Sequence, residues 1–287
     1  MNENWQTLLD ESHLVSLPDV YIKLQQLLVE DDYALADVAE IIGYDPAISA
    51  RLLRMVNSSY FGLAANIDTI SRAINYLGAQ QVHDLVLSTS IAETFSDINN
   101  PAFNLHDFWQ QSIYCAIAAR ELAVLCNVLD SERLFVAGLL HKIGYLMMSQ
   151  AIPQLTLQAQ QLAAQTAISL AEAERATIGF DYTQAGSELL QHWNLPPSLT
   201  LTVQHQLQPA LTDDFMLEVS IVHIAAAMAS AFAQQQPVVS AYASMDASAL
   251  DLCSIDEDHL ILIDRLVMES LSVVSSLLFP QLKAASF

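Results

Sequence analysis

The sequence predicts an all-α protein, and three observations predict it. Apolar residues fill 53 % of the 287 positions, while seven glycines and nine prolines are all that interrupt them. Apolar positions recur with a helical period along most of the chain. Nowhere does the period of two that marks a half-buried strand persist, and no repeat returns at a fixed spacing. Long helices joined by short connections follow, with chain enough for a sizeable core in one or two domains.

The elements justify this in order. From Pro18 to about Val29, Val20, Leu24, Leu27 and Leu28 fall at helical spacing behind a first-turn proline. Leu35 to Gly43 reads as a short helix stopped by a glycine in a left-handed conformation. Asp45-Pro46 then supplies a cap and a first-turn proline for a helix through Asn57. After the break at Asn57–Gly62, Thr69–Leu77 with Gly78 behind it and Gln80–Phe95 give two more helices. The polar stretch Asp97–Asn104 with Pro101 is the best boundary, which places an N-terminal helical lobe at 1–100 and a helical body at 101–287 within one continuous unit. Asn104 with Asp107 opens a long helix to Cys126, and Asp130 caps a helix running from Glu132 to Lys142, ended by Gly144. Ser169 with Glu172 and Asp181 with Gln184 are two capping boxes, and Leu195-Pro-Pro197 starts the helix that carries His205. Helices at about Asp214–Gln235 and Asp258–Leu278 close the chain; Gln236–Ile255 between them has no clear pattern.

Composition narrows the function. Ten basic residues against 32 acidic ones give a net charge of −22, adverse to polyanions and anionic membrane surfaces. The local exception is a patch of Arg51, Arg54 and Arg72, opposed by Asp68. Cys115, Cys126 and Cys253 lack disulfide or zinc spacing and read as reduced thiols in a cytoplasmic protein. The N-terminus has no signal-peptide pattern. The most apolar stretch, Val219–Ala233, contains His223, is short of a membrane span and reads as a buried helix.

With the helices placed, the motifs resemble a known family. Leu35-x-x-Val-Ala-x-Ile-Ile-x-x-Asp45-Pro46, Arg51-Leu-Leu-Arg-x-Val-Asn57-Ser58, Ala73-Ile74-x-x-Leu77-Gly78, Phe108-Trp109, Gly138-Leu-Leu-His141 and Trp193-x-Leu195-Pro196 are similar to the HDOD family, a regulatory branch related to the HD-domain phosphohydrolases. The similarity spans about Pro18 to His205. It implies an HD-like multi-helical fold, bacterial origin and a signalling role, often beside cyclase or receiver modules. It also implies where a divalent-metal centre would lie in an active relative: a histidine on an early helix, a His-Asp pair, and a later aspartate. At those places this chain has Gln111, His141-Lys142 and Ala226, with Tyr182 and His205-Gln206 at further positions often held by histidine. Only His141 and His205 keep a possible ligand.

Lys142 works against a metal, because a protonated ammonium cannot coordinate and at about 4 Å would repel a dication by several kcal/mol. Two readings of it stand. One is a last-turn cation satisfying terminal carbonyls at the end of its helix. The other is a replacement for the lost metal, its charge held by a nearby carboxylate or by the phosphate of a bound ligand. His141 reads as a hydrogen-bonded core residue or a ligand contact; the remaining histidines show no metal-type spacing. Gln111, His141, Lys142, Tyr182 and His205 therefore form the candidate ligand pocket, with Gln111, His141, Lys142 and Ala226 the remnant of the metal site. No catalytic residue, metal or cofactor is expected. A non-catalytic signalling module, acting through a protein partner or a small anionic ligand, is the leading expectation, and Arg51, Arg54 and Arg72 form its candidate partner patch. A divalent-metal phosphohydrolase is the alternative. A third reading, DNA binding through the helix-turn-helix outline of Leu35–Asn57, is weakened by the net charge and by the apolar second helix.

Overall fold

The computed structural model describes residues 8, 17–29, 33–63, 66–95 and 104–279. Fifteen α-helices and two 3₁₀ helices account for the secondary structure of those residues, and no strand occurs among them. The chain divides into two compact units.

One unit is Leu17–Ile98 with Arg265–Phe287. Its helices are α1 (Asp19–Val29), α2 (Leu35–Gly43), α3 (Pro46–Val56), α4 (Ile70–Leu77) and α5 (Ala79–Thr94), with the distal part of the final helix. Asp45 caps α3 by accepting from the Ala47 and Ile48 amides at 2.8 and 3.0 Å, with Pro46 in the first turn. Asn57 closes the loop after α3, its side chain exchanging two 2.7 Å hydrogen bonds with the backbone of Ile67. Thr69 caps α4, and Gly78 ends it at φ 91°, a left-handed backbone angle that favours glycine. Gly43 corrects the expectation placed on it: it lies inside α2, and Tyr44 continues right-handed behind it. Leu24, Val38, Ile42, Ile48, Leu52 and Val86 supply the buried centre of this unit.

The other unit is Met1–Ser16 with Asn99–Asp264. It contains α6 (Leu105–Leu125), α7 (Ser131–Leu140), α8 (Ile143–Ala151), α9 (Pro153–Thr166), α10 (Leu170–Thr177), α11 (Tyr182–His192), α12 (Pro197–His205), α13 (Met216–Ala233), α14 (Ala247–Cys253) and the start of α15 (Glu257–Leu278). Helix α6 packs on α7 and α13, and those three form the centre. Twelve of the 21 residues of α6 are buried, which explains why its sequence is apolar on nearly every face. Both predicted capping boxes are present, Ser169 with Glu172 and Asp181 with Gln184.

Three expectations are corrected here. Asp130 makes no side-chain cap; its carboxylate pairs with Arg133 at 2.6 Å. The helix from Ser131 stops at Leu140, so Lys142 sits in a turn between two helices rather than in a last helical turn. Gly144 does not end a helix. It opens α8, and a Cβ there would lie 2.1 Å from the Tyr182 carbonyl oxygen and 2.3 Å from the Gly186 nitrogen, so it permits α8 and α11 to touch backbone to backbone. The segment without a clear pattern resolves into a 3₁₀ helix, Val238–Ser244, and α14. Helices α8 and α9 had no counterpart in the sequence reading. Of the boundary stretch Asp97–Asn104, all but Asn104 lies outside the described residues.

Helix α13 is long and apolar enough to cross a membrane by length and composition, with half of its span buried within the fold. Val219, Ile221, Val222, Ala225 and Met228 are among its buried residues.

Candidate functional site

The two close-approach glycines shape the site. Gly138 lets α7 pack against α6, since a Cβ there would stand 2.7 Å from Ala116 Cα and from the Cys115 carbonyl oxygen. Gly144 draws α8 onto the start of α11. Between them the His141-Lys142 turn is pinned facing the N-terminal end of α11 and the C-terminal end of α12. A cleft of about 700 Å³ opens there, lined among others by His141, Lys142, Tyr182, Gln206, His223 and Ala226.

Lys142 is partly buried, and its Nζ donates to Gln111 Oε1 at 3.1 Å. The same ammonium lies 5.9 Å from the centroid of the Tyr182 ring, within cation–π range. It does not bond the terminal carbonyls of α7, as the first reading of this residue had it. Burial lowers its pKa, an effect opposed by the nearby Glu174 carboxyl and Cys115 thiol. Glu174 is fully buried in α10 and accepts the Tyr182 backbone N–H at 2.8 Å, while its other oxygen has no partner. Burial outweighs that hydrogen bond and the two neighbouring cations, and pushes the carboxyl up to about 8. Beside it, Asp181 caps α11 and pairs with Arg175.

His141 is 1 % exposed. Its Nδ1 lies 2.8 Å from the Gly138 carbonyl oxygen, which can only accept, so Nδ1 carries the proton. Burial first, then the Lys142 charge, hold the ring down to about 3, so it is neutral with a bare lone pair on Nε2, an atom that has no partner. Gln206 fixes the neighbouring wall. Its amide nitrogen donates to the His141 carbonyl at 2.6 Å and to the Val203 carbonyl at 2.9 Å, leaving Oε1 buried and unpartnered. His223 is a brace: Nδ1 donates to the Gln206 carbonyl at 2.7 Å and Nε2 accepts the Asp246 N–H at 2.9 Å.

Of the five residues expected in the pocket, His141, Lys142 and Tyr182 line the cleft, and Gln111 reaches it through Lys142. His205 does not line it; the next residue, Gln206, does. One contributor, Glu174, went unread in the sequence, and another, Gln206, was named there but left out of the candidate pocket. Glu174 carried a signal, a carboxylate on the stripe Ala171, Glu174, Ile178, all three buried. Gln206 was placed by the resemblance as one of the His205-Gln206 pair, and spacing alone does not say which of two neighbours at a helix end faces the cleft.

An HD-type metal centre does not fit these residues. Ala226 offers no ligand atom, Tyr182 holds only a phenol whose pKa burial raises, and Gln111 and Lys142 are bonded to each other. Among the described residues no group of three His, Cys, Asp or Glu side chains is placed to hold a metal ion. In the patch expected to meet a partner, Arg72 pairs with Asp68 at 2.9 Å and Arg54 bonds the Ala50 carbonyl within its own helix.

The profile of the HDOD domain matches residues 14–209. A curated relative, an uncharacterized protein of Treponema pallidum (strain Nichols), is 24 % identical over 214 residues, 73 % of this chain. This chain spans about 40 % of that relative's length. Among solved structures, a provisionally named phosphohydrolase of Shewanella amazonensis is 25 % identical with a TM-score of 0.71, covering 96 % of this chain and 97 % of its own. A provisionally named signal transduction protein of Marinobacter aquaeolei is 20 % identical with a TM-score of 0.69, covering 91 % of this chain and 59 % of its own.

Proposed function

Because this chain belongs to the HDOD family, we propose that it is a non-catalytic regulatory module of signal transduction whose cleft at His141 and Lys142 takes a small ligand and whose surface serves a protein partner. The observation that carries this is the bond from Lys142 Nζ to Gln111 Oε1, which ties together the two places where the family resemblance puts metal ligands. A cation held there gives the cleft a positive pole suited to a carboxylate or phosphate on the ligand. A cytoplasmic location and a signalling protein as partner belong to the same reading. The alternative, a divalent-metal phosphohydrolase, draws on the name given to the Shewanella amazonensis structure.

The experiment is metal analysis of protein purified without chelator, paired with hydrolysis assays on bis-p-nitrophenyl phosphate with added Mn²⁺. The expected result is no stoichiometric metal and no turnover above buffer. Stoichiometric Mn, Fe or Ni together with turnover, both lost in His141→Ala, overturns the proposal in favour of the enzyme.

A further inference from the structure

Two buried acceptors belong to residues that line the cleft and have nothing to accept from. His141 Nε2 and Gln206 Oε1 both lack partners, both residues are 1 % exposed, and both line the cleft. Neither can be relieved by a flip. Turning the Gln206 amide would set its oxygen against the His141 and Val203 carbonyls, now 2.6 and 2.9 Å from the nitrogen. Reversing the His141 tautomer would set a lone pair against the Gly138 carbonyl at 2.8 Å. Nor do the nearby donors reach them: Lys142 Nζ bonds Gln111, and both ring nitrogens of His223 are engaged. Buried acceptors of this kind are almost always satisfied, so the donors have to come from outside the protein.

The chemistry of the donor group follows. A carboxylate or phosphate oxygen at this wall would face two lone pairs, and a cation would share the cleft with Lys142. A neutral group that offers two N–H bonds suits both acceptors. Lys142, on the same cleft, suits an anion at the other end of the molecule. A volume of about 700 Å³ falls within the range of nucleotide-sized sites.

Resting on the reading of this cleft as the ligand site of a signalling module, we propose that it binds a purine nucleotide by the base edge, with two adjacent N–H donors of guanine type meeting His141 Nε2 and Gln206 Oε1 and the phosphate toward Lys142. Guanine carries that pair at N1 and its 2-amino group; inosine keeps one donor, and ribose 5-phosphate keeps only the anion.

The test is calorimetric titration of the full chain with guanosine 5′-monophosphate, inosine 5′-monophosphate and ribose 5-phosphate, paired with ¹⁵N NMR of histidine-labelled protein. The guanine nucleotide is expected to bind at least tenfold tighter than the inosine one and more than a hundredfold tighter than ribose 5-phosphate. The Nε2 resonance of His141 is expected to move upfield as its lone pair accepts a hydrogen bond. His141→Phe should abolish the preference among the three while leaving the weak binding of ribose 5-phosphate, and Lys142→Met should weaken all phosphates alike. Equal binding of all three probes, lost in Lys142→Met, overturns the base-edge proposal but leaves the cleft as an anion-binding signalling site. An Nε2 resonance already hydrogen-bonded without ligand and unmoved on titration means an ordered water only, and overturns it too, as does the absence of guanine nucleotide binding. Turnover with bound metal would instead refute the signalling reading beneath it.

Discussion

The Nζ of Lys142 donates a 3.1 Å hydrogen bond to the Oε1 of Gln111, 31 positions earlier in the chain. An ammonium and an amide thus hold the turn between α7 and α8 against the second turn of α6. The Glu174 carboxyl, buried in α10, faces the same ammonium closely enough for the two charges to influence one another. The cluster is a polar group beside the cleft, and the shifts of Glu174 and His141 each contribute to how stability varies with pH.

Glu174 makes stability fall as pH rises. Its pKa goes from 4.5 to about 8 on folding, so the folded state holds the proton more tightly. The associated stability is complete below pH 4.5 and is lost as pH rises through about 8. At about 1.4 kcal/mol per unit the loss has an upper bound of about 5 kcal/mol. Glu174→Gln should therefore flatten this part of the stability curve and be the more stable protein at pH 8.5. Urea unfolding at pH 5, 7 and 8.5 measures it, and parallel curves for the two proteins would refute it.

His141 acts on the acid side with the opposite slope. Its pKa falls from 6.5 to about 3, so the folded state excludes the proton. Its contribution is present above pH 6.5 and is lost as pH falls through about 3. His141→Phe should lose less stability than the parent between pH 6.5 and 4, by a few kcal/mol at most. Acid unfolding followed by circular dichroism gives the comparison.

Gly144 and Gly43 form a matched pair. A methyl at Gly144 meets the backbone of Tyr182 and Gly186, neither of which can swing aside, whereas at Gly43 nothing lies within 4 Å. Gly144→Ala should cost more than about 4 kcal/mol, as large backbone clashes in a packed core do. Gly43→Ala, in a helix, should gain up to about 1 kcal/mol. Thermal melts of both variants settle the contrast.

The arginine patch should not confer DNA binding. Arg72 pairs with Asp68, the guanidinium and carboxylate lie in an exposed setting, and the net charge is −22. No retention of a random-sequence duplex is expected even at low salt, where such affinity is exaggerated. Arg72→Ala should change stability by less than about 1 kcal/mol. A shift of the duplex at 20 mM salt, reversed in Arg51→Ala/Arg54→Ala, would restore the DNA reading.

How much was legible differs by kind of signal. Asp45-Pro46, Thr69, Asn104, Ser169-Glu172 and Asp181-Gln184 announced helix starts, because a cap is a bond between residues three apart and its chemistry is local. Asp130 misled for the same reason in reverse: the residue type was right, but its carboxylate went to Arg133. Helix α8 escaped notice because most of its residues are buried and no single apolar face stands out, whereas α9 and the 3₁₀ segment bury too few side chains to show an apolar stripe.

The sequence by itself determined the helical class, most helix starts and the family resemblance, which in turn implied that Gln111, Lys142 and Ala226 stand where relatives carry metal ligands, since each depends on residue identity and local spacing. Only the tertiary structure decided that Lys142 bonds Gln111, that Glu174 lies beside it, that Gln206 rather than His205 lines the cleft, and that Gly144 is a contact point rather than a helix end. Those depend on where α6, α8, α10, α11 and α12 meet, and a distance between segments tens of residues apart is set by packing, which no local pattern encodes.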